Sequence, residues 1–352
     1  MDGCFHGGAF WDSIPLDRLA VRQGVVNADV LDAWFPPAPA VVQALRNEWL
    51  LRTSPPTHAE GLEREIAARF SVSPASVLAG PGSSALMFLA FARWLTPESR
   101  VLLVEPTYGE YAYLCEKVIG CSVDRIQEVP GHLGQWGSMA ESYDLAVLVN
   151  PNNPTGTLIP TAELAKALPR RCRVWIDEAY LAYTGQPSVA PIAAELSNIA
   201  VVRSFSKSHA LSGVRTAALF ANPALIGELR SSCPPWWVSL PAQVATVVAL
   251  KEEDYYCGRY AETCRLRQAM AQEVGLPVLG AAANWLLVGL PLDGPKAADV
   301  VRRCAERGVY VRDAGKTAPS LGERAIRIAV KEEWGRVLDE LRNAVTTASS
   351  GP

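Results

Sequence analysis

A lysine can attack a carbonyl only as the free amine, so it needs a confined or cationic site that lowers its pKa. Lys207 has the surroundings for this. The stretch Val201 to Arg215 reads V-V-R-S-F-S-K-S-H-A-L-S-G-V-R, and an apolar run from Ile199 to Val202 leads into it. Ser204, Ser206, Ser208, Ser212 and Arg215 put hydroxyls and a guanidinium near the amine. Such groups suit an anion, most simply a phosphate. Taken alone, S-x-S-K equally describes a solvated lysine on a surface loop.

Four further polar turns supply complementary chemistry. Gly82-Ser83-Ser84 stands where a helix begins, and free N–H groups, hydroxyls and the positive dipole end there would hold a phosphate. An ordinary helix cap is the plain alternative. Asp177 ends an apolar run, and a buried carboxylate needs a cation such as a protonated pyridine nitrogen. Asn153 and Tyr180 can hydrogen-bond a phenolate oxygen, and Tyr108 offers a ring face for a flat heterocycle. Each has a plain reading as a turn residue or a core aromatic. Phosphate cradle, stacking ring, phenolate donors, pyridinium partner and lysine together describe one ligand, pyridoxal 5′-phosphate (PLP). No metal is expected, because the chain has four histidines and its eight cysteines show no C-x-x-C spacing.

These turns must be brought together by the elements before them. Short apolar strands are expected at Val77–Ala79, Val101–Val104, Leu145–Val149, Arg173–Ile176, Ile199–Val202 and Thr216–Phe220. Helices are expected over Ala40–Leu51, Ala59–Phe70, Ala85–Leu95, from after Gly109 to about Ile119, and over Thr161–Leu168. Apolar strands alternating with helices predict an α/β fold with a mainly parallel sheet sandwiched by helices. The polar turns all follow strand C-termini, the edge where such sheets bind ligands. After Leu250 the pattern changes. A charged helix to about Val274 precedes strands at Asn284–Val288, Gly308–Arg312 and Ala325–Val330, with helices over Ala297–Glu306 and Glu332–Ala344. This predicts a large cofactor-binding domain over 36–250 and a smaller α+β domain from 251–352 with the N-terminal segment 1–35.

The 352 residues carry a net charge of −3, which offers no basic surface for nucleic acid. No apolar run could span a bilayer. The N-terminus lacks the basic and apolar regions of a signal peptide. A cytoplasmic protein with reduced thiols is expected.

N-P-N-N-P-T-G (150–156), D-E-A-Y (177–180), S-F-S-K (204–207) with Arg215, and E-P-T-Y-G-E-Y (105–111) resemble the fold-type I PLP enzymes of aminotransferase class I/II. The nearest subgroup is that of histidinol-phosphate aminotransferase and threonine-phosphate decarboxylase. The resemblance covers about residues 36 to 345. It implies a Schiff base on Lys207, which also shuttles protons, and Asp177 on the pyridine nitrogen. Asn153 and Tyr180 would bind the ring hydroxyl, with Tyr108 stacked on the ring. Gly82, Ser83, Ser84, Ser204 and Arg215 would hold the phosphate. Arg327, in I-R-I-A-V, would clamp the carboxylate of a small amino substrate. A homodimer is also implied.

The departures fall on the substrate side. Thr53-Ser54-Pro55-Pro56 replaces a Y-P-x-P stretch, His209 stands for an aromatic and Lys331 for a glycine. Asn27 to Pro37 replaces an N-x-N-P-x-G pattern, and His6-Gly7-Gly8 resembles the H-G-G of the decarboxylases. The expected function is that of a PLP-dependent aminotransferase, with decarboxylation or another lyase reaction as the alternative. A nicotinamide dehydrogenase is a remote rival, because Gly80-x-Gly82-x-x-Ala85 followed by Glu105 imitates a dinucleotide fingerprint.

Overall fold

The computed structural model describes residues 8–17, 19–127 and 133–346. His6 and Gly7 of the H-G-G triplet lie outside the described residues. A two-residue strand, β1 (Val26–Asn27), comes first. The main sheet follows with β2 (Val77–Gly80), β3 (Arg100–Glu105), β4 (Ser122–Gln127), β5 (Leu145–Val149), β6 (Arg173–Asp177), β7 (Ile199–Ser204) and β8 (Ala217–Ala221). Its spatial order is β2-β8-β7-β6-β5-β3-β4.

Strands β4, β3, β5, β6 and β7 pair in parallel, whereas β8 runs antiparallel to both β7 and β2. Two reversals cancel, so β2 points the same way as the parallel strands. The turns after β2, β3, β5, β6 and β7 therefore open on one edge. Arg215 precedes β8 and joins that edge from the other direction.

The central strands are apolar because both faces are covered. Every residue of β5 and β8 is buried. Strand β4 was not anticipated. It is an edge strand with mostly exposed residues and no apolar run to betray it. The G-x-G segment also fails the dinucleotide reading, since β2 is an edge strand beside an antiparallel neighbour. A dinucleotide fingerprint needs a parallel βαβ unit at that place.

Helix boundaries follow local chemistry. The helix expected over Ala40–Leu51 is split into Pro39–Leu45 and Trp49–Arg52. Asn47 Oδ1 accepts the Trp49 N–H at 3.0 Å, a local bond that competes with helix continuation. Helices Pro223–Arg230 and Leu240–Leu250 were also not anticipated. Asn222 and Ser239 cap them by accepting N–H groups of Ala224 and Ala242, and each has a proline in its first turn.

After the helix Glu253–Glu273 come β9 (Val278–Ala282), β10 (Trp285–Gly289), β11 (Val309–Tyr310), β12 (Arg312–Asp313) and β13 (Ala325–Ala329). An antiparallel sheet has the order β12-β13-β10-β9, and β11 pairs in parallel with β1. The alternation in A-I-R-I-A predicts one wet face, yet all five residues of β13 are buried. Arg327 is thus a buried charge. The segment after β1 is tied to this sheet, since Ala28 donates to Tyr310 O and accepts from Ala329 N–H. It then continues across the edge of the main sheet.

Candidate active site

The turns on the shared edge enclose a cavity of about 450 Å³. Ser83, Ser84, Tyr108, Asn153, Asp177, Tyr180, Ser204, Lys207, Arg215 and Arg327 all line it. The residues singled out in the sequence are therefore gathered in one place, with Gly82 directly beneath Arg215.

At one end, the helix Ser83–Trp94 starts without a side-chain cap, which leaves its first N–H groups to a ligand. Gly82 has φ 98°, and a Cβ there would lie 2.6 Å from the Arg215 guanidinium. Only glycine permits this approach. Arg215 has φ 62° and donates from one nitrogen to Ser206 Oγ and Ser212 O, both at 3.2 Å. This cradle of N–H groups, hydroxyls and a guanidinium fits a phosphate.

At the other end Asp177 is buried. Tyr111 donates to its Oδ2 at 2.7 Å and the Ala179 N–H to its Oδ1 at 2.8 Å. Trp175 Nε1 in turn donates to Tyr111 Oη at 3.1 Å. Among the described residues no lysine or arginine forms an ion pair with Asp177. Burial pushes its carboxyl up, against the two hydrogen bonds. A buried carboxylate without a cation fits the protonated nitrogen of a pyridine ring. Tyr180 stands edge-on to Trp285 with centroids 5.0 Å apart, and burial raises its phenol far above the ordinary value. It is therefore a hydrogen-bond donor. Tyr108 contacts Tyr111 edge-to-face at 6.0 Å.

The far wall comes from the second sheet. Arg327 donates to Asn153 Oδ1 and to the backbone oxygen of Asp29, each at 2.8 Å. Its buried Nε has no partner among the described residues. Burial, then repulsion from Arg312, lowers it to about 10, so it stays cationic at neutral pH. An orphaned guanidinium N–H on a residue that lines the cavity fits a carboxylate ligand. Arg312 Nε lies 2.6 Å from Asp29 Oδ1, and both side chains are buried.

The sequence reading assigned no role to three residues here. Asp32 Oδ1 accepts from Lys207 Nζ at 2.9 Å and from Ser212 Oγ at 2.7 Å. Burial alone would raise its carboxyl, but Lys207, Ser212 and Lys331 outweigh that and hold it below the ordinary value. Lys331 Nζ donates to Asp32 O at 3.1 Å, and burial lowers its amine to about 8. Asp29 is the third. The two acids lie in N-A-D-V-L-D-A-W-F (27–35), a stretch with no apolar period to place it.

His209 contributes no acid–base group to this cavity. Its ring packs 4.5 Å from Tyr256 and 5.5 Å from Phe205 on the lysine loop's other side. Burial, then Arg203 and Arg69, lowers it to about 3, so it is neutral and serves packing.

A mainly parallel sheet with a lysine, a buried aspartate and a phosphate cradle at one edge defines a PLP-dependent enzyme of fold type I. The family model described as Aminotransferase class I and II matches residues 27–341, and the chain belongs to that family. It is 33% identical over 350 residues to a histidinol-phosphate aminotransferase of Stenotrophomonas maltophilia, covering 92% of this chain and 91% of the relative. It is 30% identical over 312 residues to an aromatic amino acid aminotransferase of Streptomyces avermitilis, covering 85% and 84%. The fold matches histidinol-phosphate aminotransferase from Sinorhizobium meliloti, solved with pyridoxal-5′-phosphate. The TM-score is 0.80 at 22% identity, over 97% of this chain and 99% of that one. An L-threonine-O-3-phosphate decarboxylase from Porphyromonas gingivalis matches with a TM-score of 0.79 at 21% identity, over 91% and 99%. The protein is a PLP-dependent aminotransferase. Among the described residues no helix is long and apolar enough to cross a membrane, and no cluster of three or more His, Cys, Asp or Glu could hold a metal.

Proposed function

We propose that this chain moves the amino group of an α-amino acid, or a close derivative, to a 2-oxo acid, with Lys207 as the covalent and proton-carrying residue. The observation that carries this reading is Lys207, Asp177 and Arg327 lining one cavity, the first two from the ends of neighbouring strands of the main sheet and the third from β13 of the second sheet. Bound there, PLP supplies a carbonyl for linkage to amines and a ring that accepts electrons from the α-carbon.

The chain does the rest. Asp177 would hold the proton of the ring nitrogen. Tyr180 and Asn153 would hydrogen-bond the ring oxygen, and Tyr108 would offer its ring face to the cofactor. Gly82, Ser83, Ser84, Ser204 and Arg215 would anchor the phosphate. Arg327 binds the substrate carboxylate and thereby sets the α-carbon over Lys207 Nζ, which takes and returns the α-proton. Segment 36–250 serves as the cofactor-binding unit, and 251–352 with the N-terminal segment 1–35 as the smaller unit.

A panel of amino acids and amino-acid phosphates tests this, with amino transfer and CO₂ release followed separately. Histidinol phosphate and aromatic amino acids belong in the panel because relatives are named for them. Transfer without CO₂ is the expected outcome. CO₂ release without transfer would replace the proposal by a decarboxylase.

The working unit is a homodimer in a cytoplasmic setting. Val42, Trp49, Leu51 and Trp236 are exposed, and the Trp236 N–H donates to Thr57 O beside the 53–56 loop. A second copy would cover these apolar groups. Sedimentation at micromolar concentration should give twice the chain mass. A single-chain mass would remove the dimer from the proposal.

A further inference from the structure

The strap 28–32 touches both ends of the place where an amino acid must sit. Its Asp29 oxygen accepts from Arg327, the carboxylate end. Three residues on, the Asp32 carboxylate meets Lys207 Nζ, the amine end. Val30 and Leu31 between them line the cavity.

The backbone of Asp32 is fixed from the second sheet. Its oxygen accepts from Lys331 Nζ at 3.1 Å and Asn284 Nδ2 at 3.4 Å, and Asn284 also donates to Leu31 O at 3.2 Å. The side chain is set by Ser212 from the main sheet's edge. The charged or titratable groups facing it are Lys207, Lys331 and the phenols of Tyr180 and Tyr183, with Asp29 on its own segment. Among the described residues only Lys207 places a cation directly on the carboxylate oxygens. The Asp32 side chain is about one-third exposed and lies beside the cavity-lining Leu31 and Lys207.

Amine exchange at Lys207 has a simple geometric consequence. Once its nitrogen is engaged with the cofactor, the ammonium that faced Asp32 is gone. The substrate's amino group arrives protonated and must come to the same place. As the substrate displaces the lysine, the proton that its ammonium must give up passes to the departing lysine nitrogen, and the resulting ammonium can return to the carboxylate.

We propose that Asp32 is the docking carboxylate for the substrate's reacting ammonium, and that it parks Lys207 when the lysine is released. This deepens the aminotransferase reading and rests on it. Arg327 and Asp32 then divide recognition, one for each charge of the amino acid. The 2-oxo acid partner carries the carboxylate without the ammonium, so Asp32 discriminates between the two substrates of the reaction.

The test uses the cofactor-loaded wild type, Asp32→Asn and Lys207→Ala. The probes are the α-methyl derivative of the best amine donor, which has no α-proton to lose, and the same acid without its amino group. Affinities are read by calorimetry. Asp32→Asn should weaken the α-methyl amino acid about tenfold and leave the deamino acid within about twofold. In turnover, KM for the amine donor should rise while KM for the 2-oxo acid holds. Unchanged affinity for the amine overturns the proposal. An equal loss for both probes also overturns it, because that marks a structural role. Should Asp32→Asn not fold or not take up PLP, Ser212→Ala gives the same contrast at about threefold, and equal effects on both probes again overturn it. The lysine-linked cofactor absorbance separates the two readings. Its loss in Lys207→Ala alone supports the enzyme reading whatever Asp32 does, and its absence from the wild type overturns both.

Discussion

Lys207→Ala is expected to abolish amino transfer, by at least about 10⁴-fold, the upper range for a single general acid–base group. The lysine has two duties, and the substitution removes both. No other described amine is placed to substitute. Lys331 is held on the backbone oxygen of Asp32 and does not line the cavity. The variant should still bind PLP through the phosphate cradle, but borohydride should no longer fix the cofactor to the chain. Mass spectrometry of the reduced protein reads this directly. Substantial turnover in the variant would sink the proposed role.

Asp177→Asn is expected to keep the cofactor and lose rate by about 10²- to 10³-fold, the scale of one preorganised electrostatic contact. The amide keeps nearly the same shape, and Tyr111 and the Ala179 N–H remain as neighbours. What is lost is the negative charge that keeps a ring nitrogen protonated. A second signature belongs to the cofactor-free protein. Burial raises the Asp177 carboxyl above its unfolded value of 3.8. Its stabilising contribution is therefore full below that value and is lost as pH rises through the higher folded one. The cofactor-free wild type should gain melting temperature as pH falls through that window, and Asp177→Asn should show less of this slope. Equal rates for wild type and variant at saturating cofactor would remove Asp177 from the mechanism.

The lysine, the aspartate and the phosphate turn were legible because each follows a short apolar run, and the end of a buried strand is where such a sheet opens. The second sheet was harder to read. In β13 the alternation suggested a wet face, but the cavity and the strap cover that face, so Arg327 is buried with an orphaned N–H. His209 stands where an aromatic is usual, and as that replacement suggests it serves packing. The turn after Lys207 sends its ring to the opposite side, among Phe205 and Tyr256.

The sequence alone therefore determined the cofactor half of the protein: a mainly parallel α/β sheet, PLP, and most of the residues that line the candidate site. Those residues lie within a few positions of strand ends, and strand ends are local features. On the substrate side, Arg327 was legible only through the family resemblance, and tertiary structure alone placed Asp32. Asp32 stands 175 positions from Lys207, and Arg327 stands 174 from Asn153. Contacts between groups so far apart in the chain leave no period or spacing behind. They exist because the double reversal at β8 and the strap from β1 bring two sheets to one cavity.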